Sequence, residues 1–365
     1  MSIIVWYNKY DKGEEKMFEP NYNNILDCAL NRQPARVPLY EHNISVGIME
    51  KLTGKKFGHL ANGTDSDFDE FMRNYCEFFK FMGYDTVTYE ACFVDILPNG
   101  GALAHPQPGY IDSREKFEIY PFDKIKDIYI NAYKKYFDGL RKFMPEGMKA
   151  IGGIGNGIFE IVQDLVGYEC LAIMSFDDPE LFQDLFTKVG DMLLDIWAWF
   201  LEEYSDVYCV CRFGDDLGYR DSTLLSPDTI KENVLPQYKK IVDKVHSFNK
   251  PFLLHSCGCI FAVMEDLIQD VKIDAKHSNE DQISDFGVWV DKYGDRIGNF
   301  GGIDTDNLVR MGDDELKDKV ISTLEKYAKG HGGFAIGSGN SIPDYVNAEK
   351  YRLMVDTVRK WRGDF

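Results

Sequence analysis

No uninterrupted apolar run in this sequence approaches the ~20 residues that a membrane-spanning helix needs, so none of it reads as a transmembrane segment. The N-terminus, MSIIVWYNKYDKGEEK, has no positively charged leader followed by an apolar block and a small-residue cleavage site, and a secretory signal is not expected. Basic side chains are few beside acidic ones: 41 Lys and Arg face 60 Asp and Glu, a net charge of −19. Such a charge repels phosphate backbones and anionic lipid, which sets aside nucleic acid and membrane surfaces as partners. Cysteine is also sparse. Eight thiols scattered through 365 residues do not make the dense framework of a small secreted domain, so reduced cysteines and a cytoplasmic location are expected. The glycine-rich stretch GGIGNG (152–157) has no Lys or Ser/Thr at P-loop spacing, so it reads as a close-packed strand end. Without low-complexity segments or long linkers, the chain reads as one domain (31–365) behind an N-terminal extension (1–30).

What the chain does contain is a regular alternation. Eight short apolar runs recur at 36–41, 84–90, 149–154, 206–213, 250–256, 272–278, 296–302 and 332–338, each the length of a buried parallel strand. Helical patterns lie between them. In DFDEFMRNYCEFFKFMG, Phe68, Phe71, Met72, Tyr75, Phe79 and Met82 fall on one face. SPDTIKENVLPQYKKIVDKV opens with Ser226 as N-cap and Pro227 at the first helical position, and Pro236 predicts a kink or break. Gly330 after Lys329 reads as a helix C-cap. Eight strands alternating with helices predict an α/β fold, a (β/α)8 TIM barrel, with a doubly wound open sheet as the alternative. A barrel carries its chemistry where the strands end.

The residues after those ends titrate or coordinate. Glu41 and His42 follow the first run, Tyr89 and Glu90 close the second, and Asn156 closes the third. Asp215, Asp216 and Tyr219 follow the fourth; His255 and Cys257 end the fifth; His277 and Glu280 end the sixth; Asp304 and Asn340 follow the last two. One pocket built from eight loops would gather such a set, with Glu41, His42, Asp215, Asp216 and His277 as catalytic candidates and Tyr89, Glu90, Asn156, Tyr219 and Asn340 as substrate contacts. Within LLHSCGCI (253–260), His255 and Cys257 point to the same side of an extended strand, which suits chelation. Glu280 is the candidate third ligand. The residues alone leave open a redox pair of Cys257 with Cys259, or a polar strand end without metal.

RVPLYEH, GNGIFEIVQDLVGYE, GDDLGYRDSTLLSPDTIKENVLPQYKKIV, KPFLLHSCG, GDRIGNFGGID and FAIGSGNSIPDYV together resemble the uroporphyrinogen decarboxylase superfamily over roughly residues 30–362, and within it the corrinoid-dependent methyltransferase branch. The resemblance implies a (β/α)8 barrel. It does not carry the decarboxylase reaction with it. True decarboxylases bind propionates with a basic N-terminal motif, whereas Glu41 and His42 stand at that place here, and a polyanionic porphyrinogen would meet carboxylate.

The methyltransferase branch implies zinc held by H-x-C after one strand and a distant Cys after the last, with a Glu between them in the related methionine synthases. His255 and Cys257 match H-x-C, and Glu280 falls near the Glu position. Asn340 stands where the second Cys is expected. One imidazole, one thiolate and one carboxylate make a formally neutral zinc site, a better Lewis acid toward an oxygen lone pair than a two-thiolate site. The implied function is a methyltransferase moving methyl between a small methylated substrate, for example an aromatic methyl ether, and a corrinoid. No D-x-H-x-x-G corrinoid motif is present, so the corrinoid would ride on a partner protein. The alternative is a metal-free lyase acting on a different small acid.

Overall fold

The computed structural model describes residues 18–104 and 108–364. Seven parallel strands run in chain order: β1 (Thr86–Glu90), β2 (Lys149–Asn156), β3 (Tyr208–Gly214), β4 (Phe252–His255), β5 (Ala275–His277), β6 (Gly298–Ile303) and β7 (Phe334–Ser338). Helices interleave them in a TIM-barrel arrangement. The first expected strand, 36–41, does not form. It contributes a single parallel bridge, Leu39 to Ile336, with Tyr40 N–H donating to Ile336 C=O (2.9 Å) and Ile336 N–H to Pro38 C=O (3.0 Å). Pro38 has no N–H and a fixed φ, so the run cannot carry a full ladder. On its other side Thr88 Oγ1 donates to Glu41 C=O (2.9 Å), so a side chain links this segment to β1.

The strand period of two builds the interior in layers. Ile151, Val210, Leu253, Ala275, Phe300 and Ala335 form one buried apolar cluster with Tyr40. The helix Asn23–Ala29 joins that cluster from below through Ile25, Cys28 and Ala29, and Cys28 Sγ donates to Phe334 C=O (3.0 Å). Residues 1–17 of the expected extension lie outside the described residues. Two positions along the strands from Val210, Leu253 and Ala275 stand Arg212, His255 and His277, all buried. Polar chemistry therefore sits directly above the apolar floor.

The helices follow the sequence signals closely. Asp65–Met82 buries Phe71, Met72, Tyr75, Phe79 and Met82, and Thr64 with Asp67 closes a capping box. Ser226 Oγ accepts from Thr229 N–H (3.1 Å) as N-cap. The break expected at Pro236 takes the form of a π-turn over Ile230–Val234, just ahead of the helix Leu235–Ser247, which absorbs the donor that proline lacks. The helix before Gly330 ends at Tyr327, and Gly330 follows with φ +82°. After β2 two additional helices, Ile158–Val166 and Tyr168–Asp177, precede the long return helix Pro179–Tyr204.

Candidate active site

A cavity of about 210 Å³ opens beyond the C-terminal ends of the strands, lined by His42, Glu90, Asn156, Glu160, Gly214, Asp216, His255, Cys257, Asn340 and Ser341. Six of the residues singled out in the sequence plus the Cys257 thiol thus share one wall system. Among the described residues, none of the lining side chains is Lys, Arg, Phe, Tyr or Trp.

At its deep end lies a chain of imidazoles. His42 stacks on His255 with ring centroids 3.6 Å apart and an interplanar angle of 14°. His255 Nδ1 lies 2.7 Å from His277 Nδ1, and His277 Nε2 lies 2.9 Å from Ser338 C=O. Burial holds all three below the ordinary histidine range, His277 down to about 3. Burial thus favours the neutral form of each ring. The nitrogen of His255 that faces the cavity, Nε2, is 3.4 Å from Cys257 Sγ and 3.9 Å from Asp216 Oδ1.

These three atoms, one nitrogen, one sulfur and one carboxylate oxygen, lie within 4.8 Å of one another. Cys257 Sγ also receives Asn340 Nδ2 (3.3 Å) and Ser278 Oγ (3.6 Å). Burial, and next the Asp216 charge, push the thiol well above its usual range, so it is a protonated thiol unless a cation replaces the proton. A second group, His42, His255 and His277, also gathers three ligand atoms within that distance. It is the poorer chelate. The stacked rings of His42 and His255 lie in near-parallel planes, so their in-plane lone pairs do not converge well on one ion, and the facing Nδ1 atoms of His255 and His277 already share a hydrogen bond.

Two acidic residues frame the rest of the cavity. Glu90 is held by the fully buried Arg212 (Oε2 to guanidinium, 2.6 Å), which also donates to Tyr40 OH (2.6 Å) and His42 C=O (2.9 Å). The other Glu90 oxygen is 3.4 Å from His42 Nε2. Glu160, on the first turn of Ile158–Val166, accepts from Asn156 Nδ2 (2.7 Å) and Asp216 N–H (3.3 Å). Burial, then repulsion from Asp215 and Asp216, raise its pKa well above the carboxylate range. Glu160 was not singled out from the sequence. Its placement follows from the helix that starts at 158, where a residue on the first turn faces back over the strand ends, a signal present in GNGIFE but weak by itself.

Several expected site residues are elsewhere. Asp215 is buried beneath the helix Ile158–Val166, capping it by accepting from Phe159 N–H (2.8 Å) and Glu160 N–H (2.7 Å), with Tyr238 OH at 2.5 Å. Glu41 turns from the cavity and accepts from Ser338 N–H and Oγ. His277 sits behind His255 and does not line the cavity. Tyr89 packs among Tyr75, Tyr136 and Phe137, and Tyr219 is exposed on the loop after β3. Glu280 accepts from Gly258 N–H (3.3 Å) and is not among the converging ligand-type atoms, of which the third is the Asp216 carboxylate. The reason is local: Asp216 Oδ1 accepts from Cys257 N–H (2.8 Å), which ties the β3 loop to the β4 loop. Asn156 lines the cavity while also accepting from Phe93 N–H (2.8 Å), so it positions the β1 loop. It emerges from a β2 bulge at Gly152–Gly155, where Gly155 has φ +97° and a Cβ would collide with Ala91 C=O. Cys259 lines a different cavity with Leu224, Leu225 and Phe261 and does not face Cys257.

The model of the uroporphyrinogen decarboxylase family, URO-D, matches residues 98–361. The chain belongs to this family. The URO-D fold is shared with a solved methyltransferase from Methanosarcina mazei, 15% identical, covering 94% of this chain and 99% of that one with a TM-score of 0.70. Weaker likenesses are to a putative vitamin-B12 independent methionine synthase from Listeria monocytogenes (14% identity, 89% and 96% coverage, TM-score 0.46). Another is a B12-independent methionine synthase from Shewanella sp. (10% identity, 81% and 87% coverage, TM-score 0.49). No curated protein matches the chain. Family membership and a polar, titratable cavity at the strand ends mark the protein as an enzyme.

Proposed function

We propose that this URO-D family member is a methyltransferase moving a methyl group between a small methylated substrate and a corrinoid carried by a partner protein, with zinc held by His255, Cys257 and Asp216. The observation that carries the reading is the convergence of His255 Nε2, Cys257 Sγ and the Asp216 carboxylate on the wall of the strand-end cavity. Nitrogen, thiolate sulfur and carboxylate oxygen suit zinc, and three protein ligands leave a position for substrate. Zinc there supplies a Lewis acid toward the atom that the methyl group leaves or joins. Asp216 replaces Glu280 in the ligand set, and the formal neutrality of the site is unchanged.

The remaining residues bind and orient. Asn340 and Ser278 donate to the Cys257 sulfur, which draws charge from the thiolate and favours an electrophilic site over a nucleophilic one. Glu160 and Glu90 face the same space, and among the described residues no Phe, Tyr or Trp lines it. A compact substrate bearing hydroxyl or amine donors fits this lining better than an aromatic methyl ether. The exposed Tyr219, Val309 and Tyr345 lie on the segments after β3, β6 and β7, apolar surface of the kind a docking protein covers.

Porphyrinogen is not the substrate in this reading. Its carboxylates would meet Glu90, Glu160 and Asp216 with no cationic side chain among the described lining residues. The metal-free lyase alternative is disfavoured by the same lack of a cation for a small acid. The test is metal analysis of purified protein with a spectroscopic corrinoid-methylation assay over methyl donors of different chemistry. Stoichiometric zinc with methyl transfer is expected; zinc-free protein that decarboxylates uroporphyrinogen would overturn the reading.

A further inference from the structure

We infer that His277 is a positioning residue that sets the tautomer of His255, holding its Nε2 as a bare lone pair aimed at Cys257 and Asp216. The deduction starts at a group with no choice. The carbonyl of Ser338 can only accept, so the 2.9 Å contact requires His277 to carry its proton on Nε2. A neutral His277 protonated there has an unprotonated Nδ1. The 2.7 Å contact between the two Nδ1 atoms then requires His255 to donate from Nδ1. Nothing is left on His255 Nε2, the atom 3.4 Å from Cys257 Sγ and 3.9 Å from Asp216 Oδ1.

Both rings are buried in the barrel interior, and Tyr40 packs edge-on against His277 at 5.1 Å. Neither ring can rotate freely to reverse the order. The backbone of β7 thus reads across β5 to β4 and prepares a ligand nitrogen before any ligand arrives. An imidazole in the other tautomer would present N–H to the cavity and would have to exchange its proton before binding a cation. This inference rests on the metal reading for its purpose, but its physical content, the tautomer, does not.

The experiment uses full-length protein labelled with ¹⁵N at histidine. Seven histidines keep the spectrum tractable, and the His255 signals are those lost in His255→Gln. In metal-free protein, long-range ¹H–¹⁵N correlations should show His255 protonated at Nδ1. His277→Phe removes the acceptor and should release His255 to the Nε2–H form, with zinc affinity falling ~10–100-fold, the usual range for losing an outer-shell partner. His277→Asn keeps a carbonyl oxygen near the Nδ1 position. It should preserve the His255 tautomer and hold zinc affinity within a few-fold of wild type. A wild-type His255 protonated at Nε2 overturns the inference. So does loss of zinc affinity in both variants with the Nδ1–H tautomer retained, which would make His277 a packing residue only. The Nδ1–H tautomer in a protein that takes up no zinc supports the relay and removes the metal reading, so the two fail separately.

Discussion

At the base of the barrel, Ile25, Cys28 and Ala29 close against Leu253, Ala275 and Ala335, and the Cys28 thiol spends itself on a backbone carbonyl. Two residues further along the same strands, His255 and His277 stand with Arg212, and a second thiol, Cys257, faces a cavity beside a carboxylate. Strand geometry is the same at both ends. The difference lies in what covers them: a helix plugs the base and excludes water, while the loops at the mouth leave space and supply titratable groups. Burial pushes both thiols upward in pKa, yet only the one with an imidazole nitrogen and a carboxylate oxygen beside it can exchange its proton for a cation. Environment, not residue type, separates a structural cysteine from a reactive one.

The largest effect that would break the comparison is at the mouth. Cys257→Ala should abolish both zinc content and methyl transfer, while leaving the thermal midpoint near wild type in metal-free protein. Ile25→Ala at the base should do the reverse: about 2–4 kcal/mol of stability lost to the cavity created, with zinc stoichiometry unchanged in the folded fraction. If the base substitution strips zinc, the two ends are not independent.

Asp215 and Asp216 sharpen the contrast between neighbours. Asp216→Asn should lower zinc affinity by more than the ~10–100-fold typical of losing an outer-shell partner, with little change in stability, whereas Glu280→Gln should lower it far less. Asp215→Ala leaves the Phe159 and Glu160 N–H groups without their acceptor and should cost about 1–3 kcal/mol, read by chemical denaturation. Zinc loss from Glu280→Gln equal to that from Asp216→Asn would restore Glu280 to the ligand set.

A smaller effect concerns pH. Burial raises Glu41 from 4.5 to about 8, with Ser338 partly offsetting, and raises Asp215 from 3.8 to about 7. In both cases the folded state favours the protonated form. The stabilisation is therefore full below the unfolded values and is lost as pH rises through about 7 and 8. Unfolding free energy should fall from about pH 4, near the unfolded values, and level off above about pH 8, and Glu41→Gln should flatten the upper part of that decline. A Glu41→Gln profile parallel to wild type would show that Glu41 does not titrate there. The smallest effect belongs to Cys259→Ala, for which zinc content and transfer should stay within a few-fold of wild type, since its side chain lines the neighbouring cavity.

Periodicity favoured the barrel over a doubly wound open sheet, and the family resemblance pointed the same way, because alternating apolar strands and amphipathic helices are local signals repeated along the chain. Those signals were enough to bring His42, Glu90, Asn156, Asp216, His255, Cys257 and Asn340 to one end, since a parallel barrel delivers every strand's C-terminus to the same face. The bridge at Leu39 in place of a full strand departs from the expected run at 36–41, with Pro38 as its physical reason. Direction within the loops was not legible. Whether Asp215 or Asp216 turns to the cavity depends on which backbone N–H groups lie within reach, and those belong to the helix at 158–166 and to Cys257, distant in sequence. In the proposed zinc site Asp216 rather than Glu280 stands beside Cys257, an arrangement that follows from the packing of the β3 loop on the β4 loop. The tautomer of His255 is a tertiary property in the strictest sense: it is set by a carbonyl on β7, through a ring on β5, because hydrogen-bond donors and acceptors are assigned by what stands opposite in space and not by what stands adjacent in the chain.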